Sequence, residues 1–518
     1  MVTDFDSLPL VPAPAAGRML GGKCILGSDT CVSLPARLGR FFEFFGEALA
    51  GLVEVDSGAT IVVALEGSVE GEETDEGYSL SVTREGISLR GATEAGVFRG
   101  LQTLLQLIEG FTVSAGGAGG GATCELPCLE IKDAPAFAWR GIMLDVARHF
   151  LGVAEVKAFI DRLARLKFNV FHWHLTDDQG WRVEILSRPE LTRIGSMRAE
   201  SPSRGDATVM DGTPYGPFFY TQEEIREVVA YARARSILVV PEIDLPGHVR
   251  AALACYPELG CTRGPYAVRT TWGIEEDVLC LGNPASLDFV RDVLGEICDL
   301  FPGPFVHIGG DEVPHERWMR CPCCREAARR EGLASPKELQ RLFTRAVEAF
   351  LAERGKRAVG WDEILDEGPS ADTIVASWRG VEGGIKAAAA GNDVVMCPFT
   401  HCYLDYRESD APGQVIGAPN GLVTTLEKCY SFEPRDPSLT PEQAAHVIGV
   451  QGNLWTEYMW SAEDVARMAF PRAHAIAEIG WTPSARRDFS SFTRRLAKLR
   501  CVSAGRRAGD RVEINAPA

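Results

Sequence analysis

The sequence is short of positive charge and of long apolar runs. Lysine and arginine number 53 against 71 acidic residues in 518, a formal net charge of −18. Charge of that sign repels phosphate backbones and anionic headgroups, so neither nucleic acid nor a membrane is the expected partner. No stretch reaches the ~18 consecutive apolar residues that a transmembrane helix needs. The opening segment, MVTDFDSLPLVPAPAAG, has neither a basic n-region nor an adequate apolar h-region, and a cytoplasmic location is expected. Disulfide-framework spacing is also missing. The 15 cysteines are odd in number and scattered, which fits a reducing compartment. The densest group, Cys321, Cys323 and Cys324 in RCPCCREA, has C-x-x-C spacing without a convincing second half. Reduced loop thiols are therefore expected there rather than a zinc site.

What is present is ordinary globular composition, 46% apolar and 24% charged, with ample material for a core. At ~150 residues per domain the length suggests two to four domains. Residues 1–133 read as a small α+β domain. ATIVVAL (59–65) is a strand, and GYSLSVTREGISLRG (77–91) alternates as a hairpin around Glu85–Gly86. In ATEAGVFRGLQTLLQLIEG (92–110), Val97, Leu101, Leu104, Leu105 and Ile108 share one helical face, with Thr93 as N-cap. SAGGAGGGA (114–122) is a flexible loop.

Residues 134–500 repeat a strand–helix unit, and 501–518 form a tail. Strand candidates are RGIMLDVAR, NVFHWHLTD, ILVVPEIDL, FVHIGGDEV, RAVGWDEI, TIVASW, DVVMCPFTHCYLD and VIGVQGNLWTE. Helices open at a Thr221/Glu224 capping box and at Ser335-Pro336-x-Glu338, and one long helix is expected over SAEDVARMAFPRAHAIAEIGW. Eight apolar strands alternating with amphipathic helices point to a (β/α)8 TIM barrel, an α/β fold preceded by the small α+β domain. An open doubly wound sheet would show a glycine-rich phosphate loop after its first strand, and RGIMLDVARHF has none.

Barrel active sites sit at the C-terminal strand ends. Those ends supply Asp145 and Arg148, His174 and Asp177, Glu242, Asp244 and His248, then Asp311 and Glu312. The later ones supply Trp361 and Asp362, Trp378, Tyr403 and Asp405, then Trp455 and Glu457. Tryptophan faces stack on sugar rings, while carboxylates and arginine bind hydroxyls. Glycoside hydrolysis also needs a carboxylic acid beside the leaving oxygen. Adjacent strand residues face opposite ways, so Asp311 and Glu312 share a pocket only where the strand ends and the backbone turns, and Gly309 and Gly310 would permit close packing there. Neighbouring acids are badly placed to attack a ring from opposite sides, which argues against Asp311 as nucleophile. A second reading takes His172, His174, His248, His307 and Asp311 as ligands of a metal-dependent barrel hydrolase. A third is a sugar-binding protein without catalysis.

HIGGDEV (307–313) resembles the signature of the family 20 glycoside hydrolases, the β-N-acetylhexosaminidases. So do RGIMLDVARHF (140–150), FHWHLTDDQGWR (171–182), PEIDLPGH (241–248), GWDEI (360–364), SWRG (377–380), YLD (403–405) and LWTE (454–457), in that family's order. GVFRGLQTLLQL (96–107) resembles part of its small preceding domain. The resemblance implies retaining, substrate-assisted hydrolysis of terminal N-acetylhexosamine from oligosaccharides, with no metal or organic cofactor. It implies Glu312 as acid then base, Asp311 as acceptor of the acetamido N–H, and Tyr403 as donor to the acetamido oxygen. Trp361, Trp378 and Trp455 would line the pocket, Arg148, Asp405 and Glu457 would hold hydroxyls, and Asp177 and His248 would support the acid pair, with His307 joining them. Many such barrels pair through helices near the active-site rim, so the resemblance raises a homodimer as an expectation. Gln451, Gly452 and Asn453 depart from the pattern ahead of Trp455, as do the glycine-rich loop and RCPCC.

Overall fold

From residue 139 onward, apolar runs too hydrophobic for a solvated face close on one another as eight parallel strands. A computed structural model describes residues 4–54, 58–66, 75–114, 122–204, 206–409, 417–418 and 421–504. The barrel strands are Trp139–Asp145, Val170–His174, Leu238–Glu242, Phe305–His307, Arg357–Trp361, Ile374–Ser377, Val394–Met396 and Val447–Leu454. The last pairs with the first, so no edge is left open. All eight expected strands are present, and the fold is the expected barrel preceded by an N-terminal sheet.

Helices between strands start where the sequence marks them. Thr221 Oγ1 accepts from the Glu224 amide, and the Glu224 carboxylate accepts from the Thr221 amide at 2.8 Å. Ser335 and Glu338 form the same reciprocal box at Pro336–Glu338, which runs into Leu339–Glu353. The single helix expected over 461–481 is a correction: there are two, Ala462–Ala469 and Arg472–Trp481. Pro471 lacks an amide proton and its ring clashes with the carbonyl four residues back, so Phe470 is extended and the chain restarts. A further helix, Phe489–Ala504, runs past residue 500, while 505–518 lie outside the described residues.

In the N-terminal part, Thr60–Leu65 is the expected strand and Tyr78–Val82 pairs antiparallel with Gly86–Gly91 as the expected hairpin. They belong to a seven-stranded mixed sheet that also contains Ala16–Leu26 and Ala122–Asp133. The helix is Glu94–Phe111, with Thr93 Oγ1 accepting from the Gly96 amide at 3.3 Å. The glycine-rich stretch falls at 115–121, outside the described residues. This helix is buried continuously from Gly96 to Ile108, not along one face. Its apolar side packs on the sheet and its polar side meets the barrel: Arg99 Nη2 donates to the Ser236 carbonyl at 2.6 Å, and Gln106 Nε2 to the Arg165 carbonyl at 3.0 Å.

Two buried charge clusters lock sheet to barrel. Glu76 takes Arg99, Arg140 and Asn169 as donors; burial alone would raise its carboxyl, but the two guanidiniums hold it down at about 2. Lys167 Nζ lies 2.9 Å from both Asp133 Oδ2 and Tyr78 Oη, while Trp481 Nε1 donates to Asp133 at 3.0 Å. Removing one partner of a buried pair strands the other charge, at a cost of about 3–5 kcal/mol. Lys167→Met and Asp133→Asn should therefore each cost about 3 kcal/mol in denaturant unfolding, and the double variant at least about 1 kcal/mol less than their sum. Strictly additive losses would show that the two side chains are not coupled.

Candidate active site

The last residues of the first four barrel strands stand at one level. Asp145 pairs with His174, His174 with Glu242, and Glu242 with His307. Parallel register thus places four polar side chains in a ring at the C-terminal mouth. Glu242 is fully buried at its centre. Its Oε2 lies 2.6 Å from His174 Nδ1 and 2.9 Å from His172 Nε2. Its Oε1 lies 3.0 Å from His307 Nδ1 and accepts from Trp361 Nε1 at 2.9 Å. Burial pushes this carboxyl up, yet the three imidazoles hold it well below its usual range. In return Glu242, with Asp177, overcomes burial and holds the His174 imidazole well above its ordinary value. Burial drops His172 to about 4, so it sits neutral.

Arg148 ties this floor to the wall. Its Nη2 lies 2.6 Å from Asp177 Oδ2, and its Nη1 lies 3.2 Å from Asp145 Oδ2 and 3.9 Å from Glu457 Oε1. Nε donates to Gln179 Oε1 at 3.1 Å. The guanidinium also lies 5.0 Å from the Trp455 ring centre. Asp145 is held by the Thr456 amide and hydroxyl, both at 3.1 Å. Asp177 overcomes its burial through Arg148 and His248 and is held well below the carboxylate range. His248 Nδ1 lies 3.4 Å from Asp177 and 3.3 Å from Asp178, and its Nε2 lies 3.7 Å from Asp311 Oδ2 and 3.5 Å from Glu312 Oε2. Ringed by carboxylates, this imidazole is held well above its ordinary value despite burial.

The adjacent acids share a pocket because the backbone turns where expected. After His307, Gly309 and Gly310 have φ of 67° and 98°, and Glu312 follows at 49°. A Cβ on Gly309 would lie 1.8 Å from Asp244 Oδ1. His248 and Glu312 are two of the few non-glycine residues in left-handed conformation, both at 49°. Asp311 is buried, and its Oδ1 has no hydrogen-bond partner among the described residues. Burial pushes its carboxyl up, His248 opposes, and the Glu242 and Glu312 charges add, leaving it at about 6. The Glu312 side chain is 35% exposed and opens to the cleft.

Strands five to eight supply the aromatic side. Trp361 and Trp455 have ring centres 5.9 Å apart, Trp378 stacks on Tyr403 at 6.0 Å, and Tyr403 and Trp455 are 6.4 Å apart. Asp405 is buried, its Oδ1 is also unpartnered among the described residues, and burial plus the Glu457 charge hold its carboxyl well above the usual range. Asp362 instead accepts from Arg379 Nε at 3.0 Å, whereas the other strand-end residues expected at the site stand together around the barrel mouth.

Several contributors were not foreseen. Glu363 Oε2 accepts from Trp378 Nε1 at 2.9 Å, and burial with the Asp311 charge pushes it up to about 8. Asp178 and Gln179 flank Asp177 and brace His248 and Arg148. All three lie inside the motifs GWDEI and FHWHLTDDQGWR, which did not single them out. The metal reading placed His172, His174, His248, His307 and Asp311 in one ligand set, and the structure separates them. His172, His174 and His307 wrap Glu242 in the floor, whereas His248 and Asp311 sit in the wall above. Arg148 lies 2.6 Å from Asp177, and its fixed charge opposes a cation at that acid.

The chain matches glycosyl hydrolase family 20, catalytic domain, over residues 137–484, and glycosyl hydrolase family 20, domain 2, over residues 7–134. It is 43% identical to a beta-hexosaminidase of Porphyromonas gingivalis over 444 residues, 86% of this chain. It spans about half the length of that relative, 55%. The GH20 exo beta-N-acetylglucosaminidase of Vibrio harveyi, solved with N-acetylglucosamine, superimposes with a TM-score of 0.83 at 34% identity, covering 96% of this chain and 78% of that one. The GH20 beta-N-acetylhexosaminidase of Streptomyces coelicolor gives 0.79 at 31% identity, covering 97% and 96%.

Gly309→Ala forces a β-carbon against Asp244 in a backbone conformation that alanine resists. It should lower the unfolding free energy by about 2–4 kcal/mol. Gly391→Ala, at φ 88° with nothing within 4 Å, should cost only about 1 kcal/mol. Equal losses in chemical denaturation would mean that backbone strain alone, without the close approach, explains Gly309.

Proposed function

The chain belongs to glycosyl hydrolase family 20, and on that premise we propose that it is a retaining, exo-acting β-N-acetylhexosaminidase using substrate-assisted catalysis. One observation supports the mechanism above the others. Asp311 and Glu312 approach the same His248 nitrogen, at 3.7 and 3.5 Å, so they stand on one side of the cleft. The usual two-carboxylate schemes need acid and partner ~5–9 Å apart across the scissile bond. Two acids on one side suffice when the substrate brings its own nucleophile.

In this reading Glu312, solvent-facing beside the His248 imidazolium, protonates the glycosidic oxygen. The carbonyl oxygen of the substrate's 2-acetamido group attacks the anomeric carbon from the opposite face. The C–O bond to the leaving group breaks, and an oxazolinium ion forms. Asp311 Oδ1, buried and without a partner among the described residues, accepts the acetamido N–H and stabilises its growing positive charge. Tyr403 donates its hydroxyl to the acetamido oxygen. Trp361, Trp378 and Trp455 enclose the group, which gains the entropic advantage of an intramolecular attack. Glu312 then takes a proton from water as the oxazolinium opens, so configuration is retained. Asp405 and Glu457, with Arg148 beneath, meet the sugar hydroxyls of a terminal residue. The exo activity named for the Vibrio harveyi relative supports the terminal assignment.

The direct test compares an aryl 2-acetamido-2-deoxy-β-glycoside with the matching 2-hydroxy glycoside. Turnover of the acetamido substrate alone is expected, and comparable turnover of both would place the nucleophile on the protein. Glu312→Gln should lower kcat on a poor leaving group by about 10²–10⁴-fold.

Protonation of Asp311 supplies a second test. The carboxylate is the working form and sits at about 6, so kcat/KM should fall about tenfold per pH unit below that value. Asp311→Asn, which does not titrate, should be slower at neutral pH and should lack that acid limb. An unchanged limb in the variant would assign it to another group.

A further inference from the structure

The cysteines of RCPCC are free thiols as expected, but they open a helix rather than lie in a loop. Cys321 is the N-cap of helix Pro322–Arg330, and Cys321 and Cys324 are both buried. The missing second half comes from the loop after the third barrel strand, as Cys261 and Cys280. The four Sγ atoms all lie within 4.8 Å of one another. The separations are 3.8 Å for Cys261–Cys324, 3.7 Å for Cys280–Cys321 and 3.6 Å for Cys280–Cys324.

We propose that Cys261, Cys280, Cys321 and Cys324 bind one Zn²⁺ as a tetrahedral tetrathiolate. At Zn–S ~2.3 Å the edge of a regular tetrahedron is ~3.8 Å, which the three separations match. A disulfide needs ~2.05 Å and singles out a partner. Here Cys280 is equally near Cys321 and Cys324, and Cys324 equally near Cys261 and Cys280, an arrangement with a centre and no preferred pair. Binding deprotonates four thiols, and the excess negative charge faces the N-terminus of helix Pro322–Arg330. The donor set, all thiolate and tetrahedral, suits zinc and closes the coordination sphere, so the ion is structural and takes no part in turnover.

The surroundings explain what such an ion would hold. The cysteines belong to a satellite core, with Val278, Trp318, Ala327, Ala328 and Leu339, separate from the main one. It joins two long loops whose backbones touch: a Cβ on Gly282 would lie 2.3 Å from the Cys323 carbonyl carbon. One loop carries His248 in its first turn away from the strand, and the other carries Asp311 and Glu312. Clamping them fixes the relative position of the imidazolium and the acid pair at the loops' origin.

The test measures metal, not turnover, so its failure leaves the proposed hydrolase untouched. Chain purified without chelator should carry one zinc by plasma mass spectrometry, released as a mercurial titrates four thiols. Unfolded in chelator, it should show all 15 thiols. Cys280→Ser/Cys324→Ser should lose the zinc and melt several degrees lower, whereas Cys323→Ser should keep both. Should the double variant not fold, Cys261→His preserves a Cys₃His set and should retain zinc. Cobalt exchanged into wild type should give the intense visible and thiolate charge-transfer bands of tetrahedral sulfur ligation. Less than a tenth of a zinc per chain, iron in its place, or two or four thiols missing from the count as disulfides would each overturn the proposal.

Discussion

The mouth of the barrel depends on one carboxylate staying ionised where water does not reach. An isolated Glu242 in that position would neutralise itself by taking up a proton. Three imidazoles and the Trp361 indole converge on its two oxygens and keep it charged. The consequences pass upward through hydrogen bonds. Charged Glu242 keeps His174 protonated, and His174 reaches Asp177 at 3.1 Å. Asp177 orients both Arg148 and His248, and those two cations face Glu457 on one side and the acid pair on the other. The Glu242 charge also acts through space on Asp311, helping to lift its carboxyl to about 6. The floor therefore sets the protonation of the wall without touching the cleft.

Much of this was legible in sequence because a barrel converts linear order into convergence. Eight apolar runs place eight strand ends on one rim, so a list of the polar residues following each run is nearly a list of the site. The Gly309–Gly310 pair was also readable, since two adjacent acids can share a pocket only through a turn and glycine is the residue that permits it. Glu242 was visible as a strand end, but its role was not. Which acid becomes the hub depends on register, and register is settled by pairing between strands more than sixty residues apart.

The misreadings have distinct physical causes. Pro471 inside a helical pattern was a local signal that the apolar periodicity on either side obscured. The polar stripe of Glu94–Phe111 was plain, but polarity does not say whether its partner is water or another protein surface; here Arg99 and Gln106 meet barrel carbonyls. Cys280 stands 41 residues before Cys321, and Cys261 stands 63 before Cys324. Spacing rules built on a single local loop do not reach that far. Only neighbouring barrel strands, each ending in a long excursion, bring those sulfurs together.

The left-handed backbone at His248 and Glu312 has a consequence for anyone redesigning this chain. A procedure rewarding relaxed backbone geometry would write glycine or asparagine at both positions and gain about 1 kcal/mol at each. It would thereby delete an imidazole and a carboxylate that stand 3.5 Å apart in the wall of the cleft. At His248 and Glu312, unlike Ser236 and Arg263, which share the conformation away from the site, the residue an optimiser most wants to change is one it must leave alone.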